Sequence, residues 1–267
     1  MEIRRHTDPE AYERLVEPLL VADEARYNLE LAVLGRIVRR EVGDPLMLSV
    51  HDGDELVGAA LRTPPWNLLV PGVPAEAMPG LAAEAGEVKG VLGATEATEA
   101  YAAADGAPWR VTRRQGVYRL STLVEPRPVS GALRAADPEA DAAIVHEWLV
   151  AFCDEAELPR MTPEDDVQRM REGRVWLWED GGRPACLVGI GGYTPNGARV
   201  GPVYTPPELR GRGYASAGTA ALTRLLLDRG CAYTFLYTDL ANPTSNKIYR
   251  AIGYEHVADV QEVTFDR

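Results

Sequence analysis

The chain has 267 residues, enough for one large domain or two modest ones with a substantial hydrophobic core. Its 40 acidic and 28 basic residues give a formal net charge of −12, which disfavours nonspecific binding to nucleic acid. No apolar run approaches the roughly 20 residues of a membrane span, and the acids near the start argue against a signal peptide. The three cysteines are widely spaced and there are four histidines, which favours the reducing cytoplasm over a disulfide framework or a metal site.

A change in composition near residue 127 predicts two halves, residues 1–127 and residues 128–267. Pro126, Pro128 and Gly131 interrupt the pattern there, and a new strand-then-helix pattern follows. We therefore expect an α/β protein of two lobes, each built on a mixed, mostly antiparallel sheet flanked by helices.

A short repeat supports an internal duplication. The tripeptide Leu56–Gly58 precedes Thr63-Pro64 exactly as Leu187–Gly189 precedes Thr194-Pro195, 131 positions later (187 minus 56). Each copy follows an acidic residue and a glycine, a pair typical of a hairpin turn. A single match of this kind also arises by chance, so the duplication is an expectation that the order of elements in the fold must test.

The second half predicts a strand over 131–135, a helix over about 138–157 and a short acidic helix after Thr162, a good N-cap. Three strands joined by short turns, VWLWED, ACLVGIGGYT and ARVGPVYT, then predict an antiparallel meander. A helix to about Arg229, the strand YTFLYTD, a short helix over 243–252 and a terminal pair of strands complete the chain. The first half follows a similar order.

The segment Arg210–Ser216, RGRGYAS, combines positive charge with exposed backbone in an acidic chain. It opens a helix, whose first amides lack intrahelical partners and carry partial positive charge. Glycines at 211 and 213 allow close approach of a ligand, and the arginines at 210 and 212 add charge. These are the components of a phosphate or pyrophosphate site, although a solvated turn has the same composition. The P-loop motif is absent and the dinucleotide motif GxGxxG fails at Ser216.

A second polar group of residues lies on the short helix near the C-terminus. Asn242 is a good N-cap and Pro243 suits the first helical turn. Asn242, Ser245, Asn246 and Tyr249 have helical spacing and form one stripe, opposite Ile248, Ala251 and Ile252. Neutral hydrogen-bonding groups with a tyrosine favour a ligand-facing surface, although a plain amphipathic helix has the same spacing.

The two segments together resemble the GNAT superfamily of N-acetyltransferases. RGRGYA matches the R/Q-x-x-G-x-G/A signature through Arg210, Gly213 and Ala215. NPTSNKIYRAIGY is similar to the family's later motif through Asn242, Ser245 and Tyr249, followed by Gly253 and Tyr254. The resemblance covers residues 199–254. By the same offset, Pro79–Glu84 (PGLAAE) corresponds to the loop in the first half and carries no arginine, so the first lobe is expected to lack a cofactor site.

This resemblance implies acetyl-CoA, or another acyl-CoA, as co-substrate, and it implies roles for the residues. The strand Val203, Tyr204 and Thr205 would pair with pantetheine and would diverge from the strand that carries Tyr237. The pyrophosphate would lie on Arg210, Gly211, Arg212, Gly213, Tyr214, Ala215 and Ser216. Asn242, Ser245, Asn246 and Tyr249 would line the pantetheine or acyl side.

The chemistry of acyl transfer suggests Tyr249 as general acid. A departing thiolate is a better leaving group when it is protonated, and a phenol with a pKa near 10 can donate that proton. A strand amide near Val203 is a candidate for stabilising the oxyanion. Tyr193, Glu155, Asp239 or an ordered water are candidate bases.

The leading expectation is therefore an N-acetyltransferase that acts on an amine of a small molecule or peptide, without metal, nucleic acid or membrane. The acidic surface weakly suggests a cationic acceptor. Two alternatives are a non-catalytic acyl-CoA-binding sensor or scaffold and a dinucleotide-binding oxidoreductase.

Overall fold

The computed structural model describes residues 1–267 and contains one twelve-stranded sheet with helices on both faces. The first part of the chain supplies these elements: β1 (Glu2–Arg5), α1 (Pro9–Ala22), α2 (Asn28–Val38), β2 (Leu46–Asp52), β3 (Glu55–Arg62), β4 (Leu68–Leu69), α3 (Met78–Ala85), β5 (Gly90–Gly93), α4 (Thr95–Asp105) and β6 (Trp109–Leu120). The second part supplies these: β7 (Ala132–Ala135), α5 (Ala142–Glu155), α6 (Pro163–Arg171), β8 (Val175–Asp180), β9 (Arg183–Tyr193), β10 (Gly197–Tyr204), α7 (Tyr214–Asp228), β11 (Tyr233–Asp239), α8 (Pro243–Ala251) and β12 (Glu255–Phe265).

The two parts repeat one order of elements. Each runs strand, two helices, three strands, a 3-10 turn, helix, strand, helix and strand. The repeated LVG tripeptides lie on β3 and β9, each the second strand of a predicted hairpin, and both hairpins form antiparallel pairs. The expected architecture of two lobes, each a mixed and mostly antiparallel sheet flanked by helices, is confirmed.

The last strand of each part is exchanged between the lobes. The sheet order is β1-β2-β3-β4-β5-β12-β6-β11-β10-β9-β8-β7. The first lobe therefore consists of β1–β5 closed by β12, and the second lobe consists of β7–β11 closed by β6. Strand β6, which precedes residue 127, pairs with β11 of the second lobe, and the two exchanged strands also pair with each other. The division of the chain at residue 127 stays a prediction.

A buried carboxylate joins the lobes a second time. Glu24, which follows α1, is only 8% exposed. It accepts hydrogen bonds from the Thr194 hydroxyl at 2.5 Å and from the Asn196 amide nitrogen and side chain, both at 2.8 Å. These bonds fix the β9–β10 turn of the second lobe against the first.

The sheet opens between β10 and β11. These parallel strands pair only from Gly197 to Arg199 and from Tyr233 to Phe235. Beyond that point β10 stays with β9 and β11 stays with β6, with register shifts in β10 after Arg199 and Val200. Val203 of β10 and Tyr237 of β11 are thus not paired with each other, as the resemblance implied.

Two sequence predictions about element limits need correction. One long strand, β12, replaces the predicted terminal pair, because it pairs continuously with β6 along one edge while its end pairs with β5 along the other. The long helix of the second half begins at Ala142 rather than near 138, because Asp137 accepts from the amides of Glu139 and Ala140 and forms a turn there.

Candidate active site

A cleft of about 2770 Å³ lies over the opening between β10 and β11. Its lining comes from both lobes and includes α2, the loop after β3, the exchanged strands, the segment after α5, and α8. Typical small-molecule sites enclose about 300–1,000 Å³, so this cleft has room for a large co-substrate together with an acceptor.

Strand β10 offers a free backbone edge to this cleft. Val203 and Tyr204 pair with Val188 and Leu187 of β9 on one side. The opposite edge, toward β11, has no strand partner after Arg199. The Tyr204 ring is buried against Trp148, with 6.3 Å between ring centroids. Backbone groups from Val203 to Thr205, apart from the Thr205 carbonyl that accepts from Arg210, are therefore available to an extended ligand that would lie as an added strand.

The glycine-arginine segment forms a loop and the start of α7. Gly211 and Gly213 have φ values of 77° and 89°, in the left-handed region that glycine adopts readily. Gly213 is the N-cap, and the first intrahelical bond runs from the Ala217 amide to the Gly213 carbonyl at 3.0 Å. The amides of Tyr214, Ala215 and Ser216 precede that bond, so they remain free for an anion.

The two loop arginines have different surroundings. Arg210 lines the cleft; its Nε donates to the Thr205 carbonyl at 2.9 Å, and its Nη2 lies 2.6 Å from Glu155 Oε1. Arg212 is not among the lining residues. Its Nη2 donates to the Glu208 carbonyl at 3.3 Å. Hydrogen bonds from Tyr214 and Ser130 lower the pKa of Asp180, and the charge of Arg212 adds a smaller effect in the same direction. Arg210 therefore faces the cleft directly, and Arg212 lies on the outer side of the loop.

Tyr214 can offer a ligand its backbone amide rather than its hydroxyl. Its hydroxyl donates to Asp180 Oδ2 at 2.5 Å, and its ring is buried in the core beneath α7. This anchoring fixes the first turn of the helix.

Helix α8 presents a rotated version of the predicted stripe. Asn242, Ser245 and Tyr249 line the cleft, and Ile248 joins them. Asn242 is the N-cap, with its Oδ1 accepting from the Ser245 amide at 3.1 Å. Asn246 is not among the lining residues, because its Nδ2 donates to the carbonyl of Asp239 at 3.1 Å and holds the end of β11. The placement of Asn246 thus favours a positioning role over ligand contact.

Tyr249 lies half-buried on the cleft side of α8, and its ring packs edge-on against Tyr254 at 6.1 Å. Burial raises the pKa of its hydroxyl above the ordinary value, and the nearby Cys186 and Tyr254 add to the effect. The phenol therefore carries its proton throughout the neutral pH range, as a proton donor must.

The candidate bases differ in position. Tyr193 is 49% exposed at the end of β9 and does not line the cleft. Glu155 and Asp239 line it. Glu155 is bound to Arg210, and Asp239 Oδ1 accepts from the Ala241 amide at 2.8 Å.

Sequence reasoning missed a polar network that shapes the cleft across the exchanged strands. Glu262 of β12 accepts from Asn67 at 2.8 Å and from Arg113 of β6 at 3.0 Å. Arg113 also donates to the carbonyls of Ala156 and Glu157, at 2.7 and 3.1 Å. The network holds the segment after α5 in place. Its bonded residues are between 43 and 195 positions apart in the sequence, so no local pattern predicts the network.

The first lobe has no counterpart of the glycine-arginine loop. In the second lobe four residues, Arg210–Gly213, separate the 3-10 turn Pro207–Leu209 from α7. In the first lobe the 3-10 turn Ala75–Ala77 runs directly into α3. The fixed offset thus misaligned PGLAAE: Pro79 lies in the first turn of α3, and Glu84 lies in its last turn, bound to Arg5.

Comparison with known proteins agrees with this geometry. Residues 142–254 match the family described as Acetyltransferase (GNAT) family. The chain is 34% identical over 120 residues to mycothiol acetyltransferase of Kytococcus sedentarius, a match that spans 42% of this chain and 40% of that protein. The chain thus spans well under half the length of this curated relative.

Two solved structures share nearly the whole fold. One is a GCN5-related N-acetyltransferase from Sphaerobacter thermophilus, with a TM-score of 0.67, 15% identity, and coverage of 98% of this chain and 94% of that one. The other is a tandem GNAT protein from the clavulanic acid biosynthesis pathway, with a TM-score of 0.62, 16% identity, and coverage of 98% and 97%. The chain therefore has the two-lobed fold of these structures, and residues 142–254 of its second lobe match the GNAT family of acetyltransferases.

Proposed function

We propose that this enzyme transfers an acetyl group from acetyl-CoA to an amine of a small molecule or peptide. The observation that carries the proposal is the coincidence of three features in one cleft: the unpaired edge of β10, the free amides at the start of α7, and the unpartnered phenol of Tyr249. The three unpaired cysteines support a place in the reducing cytoplasm.

The residues present fit the co-substrate. The edge from Val203 to Thr205 would pair with the amide groups of pantetheine, and the α7 amides with Arg210 would bind the pyrophosphate. Acetyl-CoA supplies an activated thioester carbonyl. Asn242 and Ser245 of α8 line the same cleft.

The reaction forms a carbon–nitrogen bond and breaks the carbon–sulfur bond. The amine must be neutral to attack. A backbone amide near Val203 would stabilise the negative charge that develops on the carbonyl oxygen. Tyr249 would donate its proton to the departing sulfur, and the proton released from the amine would leave through Asp239, Glu155 or water.

The proposal is tested by incubating the protein with acetyl-CoA and a panel of amines, amino sugars and peptides. Release of the CoA thiol that depends on an amine, with the acetylated amine identified by mass spectrometry, supports it. Tight acetyl-CoA binding without release for any amine would favour the non-catalytic sensor or scaffold.

We expect Arg210→Ala to weaken acetyl-CoA binding by about tenfold or more, because a hydrogen bond to a charged group is lost. Arg212→Ala should weaken it less, since Arg212 lies on the outer side of the loop. Calorimetric titration of both variants measures the difference.

The control ligand is S-acetylpantetheine, which lacks the nucleotide and pyrophosphate. Its affinity should be nearly the same in wild type and Arg210→Ala. Equal losses for both ligands would exclude a phosphate role for Arg210.

A further inference from the structure

Four arginines meet on the side of the cleft formed by α2 and α6. Arg36 lies on α2, Arg169 on α6, Arg174 directly before β8, and Arg199 at the last paired position of β10. All four line the cleft. In a chain with a net charge of −12, this is a local concentration of positive charge.

Two of these arginines have no acidic partner. Arg174 Nε lies 3.0 Å from Glu172 Oε2, and Arg36 Nε lies 3.6 Å from Glu41 Oε2. Arg199 instead donates to the Gly191 carbonyl at 3.0 Å and lies over the Tyr237 ring, 5.8 Å from its centroid. The Nε of Arg169 is buried and has no hydrogen-bond partner.

The nearby carboxyl groups neutralise this charge poorly. Asp166 of α6 is shared with His146, with 2.8 Å between Nδ1 and Oδ2, and its charge offsets only part of the effect of burial and of the other arginines on Arg169. Glu30 of α2 is 4% exposed and does not line the cleft. Burial raises the pKa of Glu30 to about 7 despite the charge of Arg199, so its carboxyl group is partly protonated at neutral pH.

The arginines are close enough to disfavour one another's charge. Burial, together with the charges of Arg174 and Arg199, lowers the pKa of Arg169 to about 10. Burial is also the main cause that lowers the pKa of Arg199, and the charges of Arg174 and Arg36 lower it as well. Like charges that are removed from water destabilise the fold unless an opposite charge compensates them. A cleft that gathers such charges without partners is typical of a binding site for an anion.

This cluster is separate from the proposed pyrophosphate site. Arg199 stands where β10 and β11 begin to diverge, six residues before Thr205, to which Arg210 is bound. Six residues of extended strand span about 20 Å. Phosphates held by the α7 amides therefore do not reach the arginines, and the cluster faces the part of the cleft left for the acceptor.

We propose that Arg169, Arg174 and Arg199, with Arg36 at the rim, bind a carboxylate or phosphate group of the acceptor. This inference rests on the proposed function and narrows it to amines that carry an anionic group. It replaces the cationic acceptor that the acidic surface weakly suggested.

The first test measures anion binding without catalysis. The protein is saturated with CoA, so that its pyrophosphate site is filled, and its thermal melting is followed with added succinate or inorganic phosphate. We expect either or both anions to raise the melting temperature of wild type and of Arg171→Ala, an exposed arginine on the same helix. The rise should be lost in Arg169→Ala.

The second test uses matched acceptors: an amino acid against its carboxamide, and a phosphorylated amino sugar against its parent sugar. The preferred pair identifies the anionic group. Arg169→Ala should raise KM for the anionic member by about 10- to 100-fold, with little change for the neutral member or in acetyl-CoA affinity. Arg169→Lys should restore part of the loss.

The outcomes separate the two proposals. If no amine is acetylated but anion binding still requires Arg169, acetyl transfer is wrong and the anion site stands without its assignment to an acceptor. If neutral amines are used as well as anionic ones, or if neither anion raises the melting temperature in an Arg169-dependent way, the anionic acceptor site is overturned.

Discussion

Tyr249→Phe should lower kcat by about 10²-fold or more, because loss of a positioned general acid costs that much. The affinity for acetyl-CoA should change little, since the phenyl ring still packs against Tyr254. Steady-state kinetics with the best acceptor and calorimetric titration of acetyl-CoA measure the two quantities separately.

Two controls sharpen this expectation. An acyl donor with a low-pKa thiol needs less protonation as it leaves, so the variant should be much less impaired with that donor. Tyr193→Phe, at an exposed position outside the cleft, should behave as wild type. Equal impairment of Tyr249→Phe with both donors would show that Tyr249 is not the acid.

Removing residues 1–127 should abolish folding of the remainder. The fragment 128–267 lacks β6, which pairs with six residues of β11 and ten of β12. It also loses Tyr118 and Leu120, which pack with Leu236 and Tyr254 in one buried cluster. The fragment would expose long unpaired strand edges and apolar surface, so we expect aggregation. Soluble yield and size-exclusion chromatography measure this.

The fragment 109–267 is the matched comparison, because it retains β6 and restores the β11-β6-β12 order. It should give more soluble protein than 128–267, although the β12 edge toward β5 stays open. A monomeric fragment 128–267 that unfolds cooperatively would instead support residue 127 as a true domain boundary.

The features predicted from sequence are those with a local signature. The meander of β8, β9 and β10 follows from turn residues and alternating strands, and the start of α8 follows from Asn242 and Pro243. The glycine-arginine loop follows from two glycines that favour a tight turn, which the structure shows with positive φ at Gly211 and Gly213. The predicted cleft-facing side of α8 differs from the observed one. Asn246 donates to the backbone carbonyl of Asp239 instead of lining the cleft, and Ile248 lines it.

The strand exchange and the arginine cluster carry no such signature. Strands β6 and β12 have ordinary patterns, and only their pairing across most of the chain reveals that they close opposite lobes. Arg36, Arg169 and Arg199 look like solvated charges on three separate elements. They come together in one cleft because the first lobe packs α2 against β9 and β10.

We expect each chain to bind one acyl-CoA, in the second lobe, because only that lobe inserts Arg210–Gly213 before its helix. Calorimetric titration of the intact protein with acetyl-CoA tests this most directly. We predict saturation at one equivalent per chain, with that single event weakened in Arg210→Ala. Saturation at two equivalents, or full-strength binding in Arg210→Ala, would contradict it.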